Sequence, residues 1–191
     1  MTLLSSIYNF SDKLGYDGAN PCRGIRRFRE QSRDRFLQPA EIKRFFDAVV
    51  EQPQPWQDFF LLLLFTGAGK SSLLSMAWAD IDLDGQSWRI PRPKNNTPTT
   101  IPLTPPAMRI LESRFALRGD SPWVFPGRVG HIKDGRHVWV KLLKEAEIEN
   151  LHLHDLRRSL ASWQAALGSS LIVIGASLGR EHGAADNPCA G

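Results

Sequence analysis

The stretch that most restricts how this chain can fold is Trp56-Gln57-Asp58-Phe59-Phe60-Leu61-Leu62-Leu63-Leu64-Phe65. From Phe59 to Phe65 every residue is apolar. A segment with no polar face has no place on a surface, so it is expected as a helix in the middle of the core. It cannot be a membrane span, which takes about 20 residues.

A central helix of this kind has to be covered by helices that are apolar on one side only. Residues 39–50 supply one, with Ile42, Phe45, Phe46 and Val49 on its inner face. Residues 105–117 supply another, with proline near the first turn. Residues 137–146 follow, with Val138, Trp139, Leu142 and Leu143 inward. A further helix begins at His154 and stops at Gly168, and 170–178 reads as a last short apolar helix. Leu73, Leu74 and Met76 mark a helical piece ending near Trp78. Between these helices lies a different pattern. Asp84-Gly85 is a turn, Ser87-Trp88-Arg89-Ile90 a strand, Lys94-Asn95-Asn96-Thr97 a second turn and Thr99 to Leu103 the returning strand. Val124-Phe125-Pro126 reads as short and extended. The expected fold is mostly α (α+β), with helices around a small three-stranded antiparallel sheet.

The ends of the chain differ from this middle. Leu3, Leu4, Ile7, Tyr8, Phe10 and Leu14 repeat at helical spacing until Gly18, Asn20 and Pro21. Residues 23–36 then carry Arg23, Arg26, Arg27, Arg29, Arg33 and Arg35. That run reads equally as a solvated linker or as a basic strap along a phosphate backbone. After Gly179 no hydrophobic period remains.

The formal charge of +4 and pI near 9.3 lean toward a polyanionic partner. Cys22 and Cys189 are the only two cysteines, too few for a disulfide framework, which points to a reducing, cytoplasmic setting. The first residues lack the pattern of a secretory signal, and no membrane partner is expected.

Two motifs look chemical and are not. Gly67-Ala68-Gly69-Lys70-Ser71-Ser72 is half of a phosphate-binding loop. The missing half is a first glycine, whose place Leu64 holds, and the element before it is a helix rather than a strand. His152, His154, His182 and Cys189 lack a second pair at ligand spacing, so no metal or other cofactor is expected.

His154-Asp155-Leu156-Arg157-Arg158 is the stronger candidate. His154 and Arg157 are three apart at a helix start and so share a face. An imidazole and a guanidinium beside the free N–H groups of a helix N-terminus suit a phosphate. A capped, solvated helix start with a basic face is the other reading.

The order of these pieces resembles the catalytic domain of tyrosine recombinases of the phage-integrase type. The likeness runs from Arg35-Phe36-Leu37 to about Gly179, most of the chain. It is carried by LLLLFTGA at 61–68, WADIDL at 78–83, WRIP at 88–91 and Lys94-Asn95-Asn96 ahead of TIPL at 100–103. VFP at 124–126, HDLRR at 154–158 and Leu178-Gly179 complete it. Each is weak singly; their order and spacing are specific.

The resemblance implies an enzyme that breaks a DNA phosphodiester with a tyrosine, holds the strand as a phosphotyrosine and lets another strand's hydroxyl reverse the step. It implies no cofactor, so side chains must supply the positive charge. It makes Lys94 the hairpin lysine that protonates the leaving hydroxyl, and His154 and Arg157 the histidine and second arginine of the HxxR box. Three positions depart from the pattern. The first arginine belongs where this chain has Gly69, a histidine or tryptophan where it has Arg180, and the nucleophilic tyrosine where it has Cys189. The usual acidic residue three after the first arginine is Ser72. The only tyrosines, Tyr8 and Tyr16, lie far upstream.

The resemblance divides the chain into 1–22, matching the end of an N-terminal core-binding domain; 23–36, a basic linker; 37–179, the catalytic-type domain; and 180–191, an irregular tail. The expected partner is double-stranded DNA, through Arg23, Arg26, Arg27, Arg35, Lys94, Arg157 and Arg158. The family assembles as a tetramer on DNA, and this chain alone is expected as a monomer of bacterial or phage origin. Three readings follow: a strand-exchange enzyme by descent that is inactive as it stands, a DNA-binding or regulatory module that does not cut, and a structural remnant that binds nothing.

Overall fold

The computed structural model describes residues 2–16, 18–25, 34–91 and 98–169. Lys94, Arg26, Arg27, Arg180, Cys189 and the expected helix at 170–178 lie outside the described residues. The chain divides into two units, 1–34 and 35–191.

The first unit holds α1 (Thr2–Ser11), extended by a 3-10 turn at Asp12–Leu14. Asn20 closes back on it, its side-chain amide donating to Asn9 Oδ1 at 3.0 Å. Leu3, Ile7 and Phe10 are exposed.

The second unit is built around α3 (Trp56–Thr66), whose Phe59, Phe60, Leu62, Leu63 and Leu64 are all buried. Helices α2 (Pro39–Val50), α4 (Lys70–Leu74), α5 (Pro105–Ala116) and α7 (Leu153–Ala166) pack on it, and α6 (Arg136–Glu145) packs on α2. Aromatic side chains fill the centre: Phe60 meets Trp139 of α6 at 5.4 Å between ring centres, and Phe59 meets Phe125 edge-on at 5.6 Å. The all-apolar run is therefore central: α2, α5 and α7 cover most of it, and only Leu61 and Phe65 remain half-buried.

The sheet is β1 (Ile81–Asp82), β2 (Ser87–Ile90) and β3 (Thr99–Pro102), antiparallel in the order β1-β2-β3. Trp88 pairs with Ile101 and both are buried, while Arg89 and Thr100 beside them face out, the period-2 alternation of a half-buried sheet. The described ladder ends at the pairing of Ile90 with Thr99. In the β1–β2 turn the positive backbone angle falls on Gln86 (φ +48°) rather than on Gly85. Gly85 instead donates its N–H to Asp82 Oδ1 at 2.8 Å.

One expectation is corrected. The helical piece around Leu73 begins earlier, at Lys70, and ends at Leu74; the chain then makes a separate 3-10 turn at Trp78–Asp80. Between them Met76 accepts the N–H of Val124 and Ala77 bridges Trp123. That extended pairing takes up the backbone groups a longer helix would have used.

Candidate functional site

The site forms where α7 begins and where α3 gives way to α4. Helix α7 starts after His152, whose backbone N–H donates to Asp155 Oδ2 at 2.8 Å. Asp155 is 1% exposed and also accepts Arg158 Nη1 at 3.2 Å. One turn on, the buried Ser159 hydroxyl donates to the Asp155 carbonyl and accepts the N–H of Leu37, both at 2.8 Å. The helix start is thereby fixed to the strand-like entry of the unit. Asp155 and Ser159 face inward, and His154 is left exposed with Arg157 half-buried beside it.

The facing turn explains why Thr-Gly-Ala stands at 66–68. Thr66 Oγ1 donates to the Leu62 carbonyl at 2.6 Å and accepts the N–H of Ala68 at 3.2 Å. Gly67 ends α3 in the left-handed conformation (φ +60°), its N–H on Leu63 O at 3.0 Å, where a side chain would be strained. Its carbonyl then accepts Arg157 Nη1 at 2.7 Å. The arginine of the HxxR box thus rests on the turn that contains Gly69. Gly69 itself is exposed and has an extended backbone open to any residue (φ −71°, ψ 143°). Among the described residues a Cβ built there meets only Ser72 Oγ, at 3.9 Å.

The remaining sequence candidates are distributed unevenly. Arg35 does not stand free: it forks onto Glu41 at 2.6 and 2.8 Å and reaches the Glu149 carbonyl at 3.1 Å. The guanidinium holds the Glu41 carboxyl below the usual range, aided by the Gln38 N–H, and Glu41 in turn raises Arg35. Arg158 leans on Asp155. Arg23 is exposed in the first unit. Of the predicted residues, then, the structure sets Arg157 on the turn that contains Gly69, with His154 on the same first turn of α7. Sequence reasoning missed Lys70, which pairs with Asp134 Oδ1 at 2.5 Å and anchors the residues before α6 to the first turn of α4. The half phosphate loop drew attention to Lys70 for the wrong reason. Among the described residues no group of three or more His, Cys, Asp or Glu is placed to hold a metal, and no helix is long and apolar enough to cross a membrane.

This arrangement can be set beside known proteins. The sequence profile of the phage integrase family matches residues 35–185. The chain belongs to the phage integrase family. Among curated tyrosine recombinases and integrases it is 34% identical over 140 residues to the prophage integrase IntF of Escherichia coli K12, covering 68% of this chain and 30% of that protein. It is 28% identical over 161 residues to the integrase of Salmonella phage P22, covering 76% and 40%. The shufflon-specific DNA recombinase of Escherichia coli is 30% identical over 172 residues, covering 88% and 43%. The chain thus spans less than half the length of these relatives. The fold matches the Tn1549 transposon integrase in complex with a circular intermediate DNA, with a TM-score of 0.70 at 15% identity, covering 92% of this chain and 68% of that one. It also matches the catalytic domain of the bacteriophage HP1 integrase, with a TM-score of 0.57 at 20% identity, covering 75% and 79%. At these identities the structural likeness establishes the fold, mostly helical with a small antiparallel sheet.

Proposed function

We propose that this chain is a DNA-binding integrase domain, descended from strand-exchange enzymes, that holds a phosphodiester and does not cut it. The observation that carries the reading is the contact of Arg157 with the Gly67 carbonyl beside an unfilled Gly69. The backbone that would present two guanidiniums to one phosphate is intact, and one of the two side chains is gone. Arg157 and His154, with Lys94 assigned by resemblance, remain to grip a nonbridging oxygen and to assist a proton transfer.

The chemistry that is missing is specific. In comparable sites, losing one preorganised charge donor costs about 3–4 kcal/mol of transition-state stabilisation. Without a tyrosine at 189 the phosphotyrosine route has no nucleophile. The cysteine there has no flanking lysine, arginine or histidine within five residues to lower its pKa. DNA as the partner accords with the Tn1549 integrase complex with a circular intermediate DNA and with the XerH recombinase bound to its difH substrate, a likeness with a TM-score of 0.61 at 16% identity.

The test is a salt-dependent titration with duplex DNA of arbitrary sequence. The unmodified chain should bind in the nonspecific range, on the order of 10⁻⁴–10⁻⁶ M, with affinity falling steeply as salt rises. Gly69→Arg should tighten binding by about 1.5–3 kcal/mol, the contribution of one charge-assisted hydrogen bond. No binding by the unmodified chain at low salt would reject the reading, as would a Gly69→Arg variant that folds and binds no better.

A further inference from the structure

The segment from Gly127 to His137 carries three exposed cations, and the site described above does not use it. Arg128, Lys133 and Arg136 are all exposed, and among the described residues none of the three pairs with a carboxylate. Elsewhere in this unit Arg35, Lys43, Arg44, Arg114, Lys141 and Arg158 each lie against an acid, while the exposed Arg89, Arg109, Arg118 and Lys144, which have no acid partner among the described residues, are scattered over β2, α5, the chain just after α5, and α6. The only acid in the segment is Asp134, and it is cancelled from outside by Lys70 at 2.5 Å.

The segment is held in shape. His131 packs edge-on against Trp123 with ring centres 5.2 Å apart, and Pro126 bridges His131. The N–H of Ile132 donates to the Phe125 carbonyl at 2.9 Å. Gly135 lies so close to Trp56 that a Cβ would fall 2.1 Å from the indole, and His137 stacks edge-on against the same ring. Asp134 Oδ1 also accepts the N–H of Arg136 at 3.2 Å. Its position relative to the site is fixed through one turn. Residues 67–70 touch Arg157 at the Gly67 carbonyl and Asp134 at the Lys70 amino group.

We propose that Arg128, Lys133 and Arg136 form a second phosphate-backbone grip for duplex DNA, and that Asp134 weakens it while Lys70 masks Asp134. The inference rests on the DNA-binding reading above and extends it to residues that the resemblance does not assign. Three cations without an acid partner, Lys133 with its amino group 3.4 Å from His131 Nε2, sit on a segment tied through the 67–70 turn to Arg157, and they offer a rigid backbone more phosphate contacts than Arg157 alone. Because such contacts release counterions, each one made adds about 0.9 to the slope of log affinity against log salt.

The experiment compares four proteins on one 20-base-pair duplex by fluorescence anisotropy at about 50 to 200 mM salt, the range over which counterion release is resolved. The triple variant Arg128→Ala, Lys133→Ala, Arg136→Ala should lower the slope by about 2–3 and weaken binding at least tenfold at the lowest salt. Asp134→Asn keeps an acceptor for the Arg136 N–H and releases Lys70, so it should tighten binding severalfold. Lys43→Ala on α2, an exposed cation already paired with Asp47, should change neither affinity nor slope. A slope left intact by the triple variant overturns the proposal, and so does an Asp134→Asn variant that binds no tighter. If the unmodified chain binds no DNA at all, the broader reading falls and this one with it. If it binds, and only the triple variant or Asp134→Asn fails to respond, the loop assignment alone is wrong. Thermal unfolding of each variant separates loss of fold from loss of contacts, and three single substitutions replace the triple variant if it does not fold.

Discussion

The first turn of α7 and the Gly67–Lys70 turn, the two halves of the candidate site, differ in what they retain. In α7 both the framework and the polar side chains are present: Asp155 and Ser159 hold the helix start, and His154 and Arg157 stand on its outer side. In the facing turn the framework is complete, with Thr66 capping and Gly67 in the left-handed conformation, but position 69 has no side chain. The difference separates what folding requires from what catalysis requires. Thr66, Gly67, Asp155 and Ser159 satisfy backbone groups that would otherwise be buried unpaired, and their loss costs stability. A Cβ added at 69 meets, among the described residues, only Ser72 Oγ at 3.9 Å, so no packing contact in the turn calls for a side chain there.

The largest stability effect expected within this comparison is at Ser159. Ser159→Ala strands the Leu37 N–H in a fully buried position, a loss of about 1–3 kcal/mol measurable as a lowered urea midpoint. A variant as stable as the parent would show that α7 is not anchored through this hydroxyl. A smaller effect is expected at the Arg35–Glu41 pair, whose removal by Glu41→Gln should cost roughly 1 kcal/mol at neutral pH. Here the sign with pH is fixed. The folded-state pKa of Glu41 is depressed, so the stabilisation is present above the unfolded value of about 4.3 and is lost as pH falls through the folded one. Parent and variant should therefore converge in stability in acid and diverge again toward neutrality; a constant offset at every pH would contradict it. The smallest effect belongs to the other half. Gly69→Arg should leave stability within about 0.5 kcal/mol of the parent, as for a surface site with no contacts to lose. A drop of several times that would mean the turn is not the intact socket described.

How much of this could be read from the sequence follows the range of each interaction. Helices α2 and α3 are legible because their signals are local: proline at 39 opens one, Gly67 closes the other and the apolar spacing lies between. The strands 87–90 and 99–102 are legible from alternation and the turn between them. His154 and Arg157 are legible as a pair because three residues on a helix share a face. Arg35 was not. In sequence it is one more arginine in a basic run, and only the return of the chain to Glu149 and the fork onto Glu41 make it a structural residue. Lys70 with Asp134, and Ser159 with Leu37, are 64 and 122 residues apart, separations that leave no periodic trace. The emptiness of position 69 was legible as a missing arginine; that the turn leaves room for a Cβ there was not.

The proposed loss of cutting chemistry from a retained recombinase framework is read out by covalent capture. The unmodified chain is incubated with a pool of nicked duplexes randomised around the nick, and the products are run on a denaturing gel before and after protease. No protease-sensitive protein–DNA band is expected from the unmodified chain or from Gly69→Arg, because neither supplies a tyrosine at 189. A band from the unmodified chain, with its attachment mapped to Cys189, would contradict the account and establish a thiol nucleophile in the tyrosine's place.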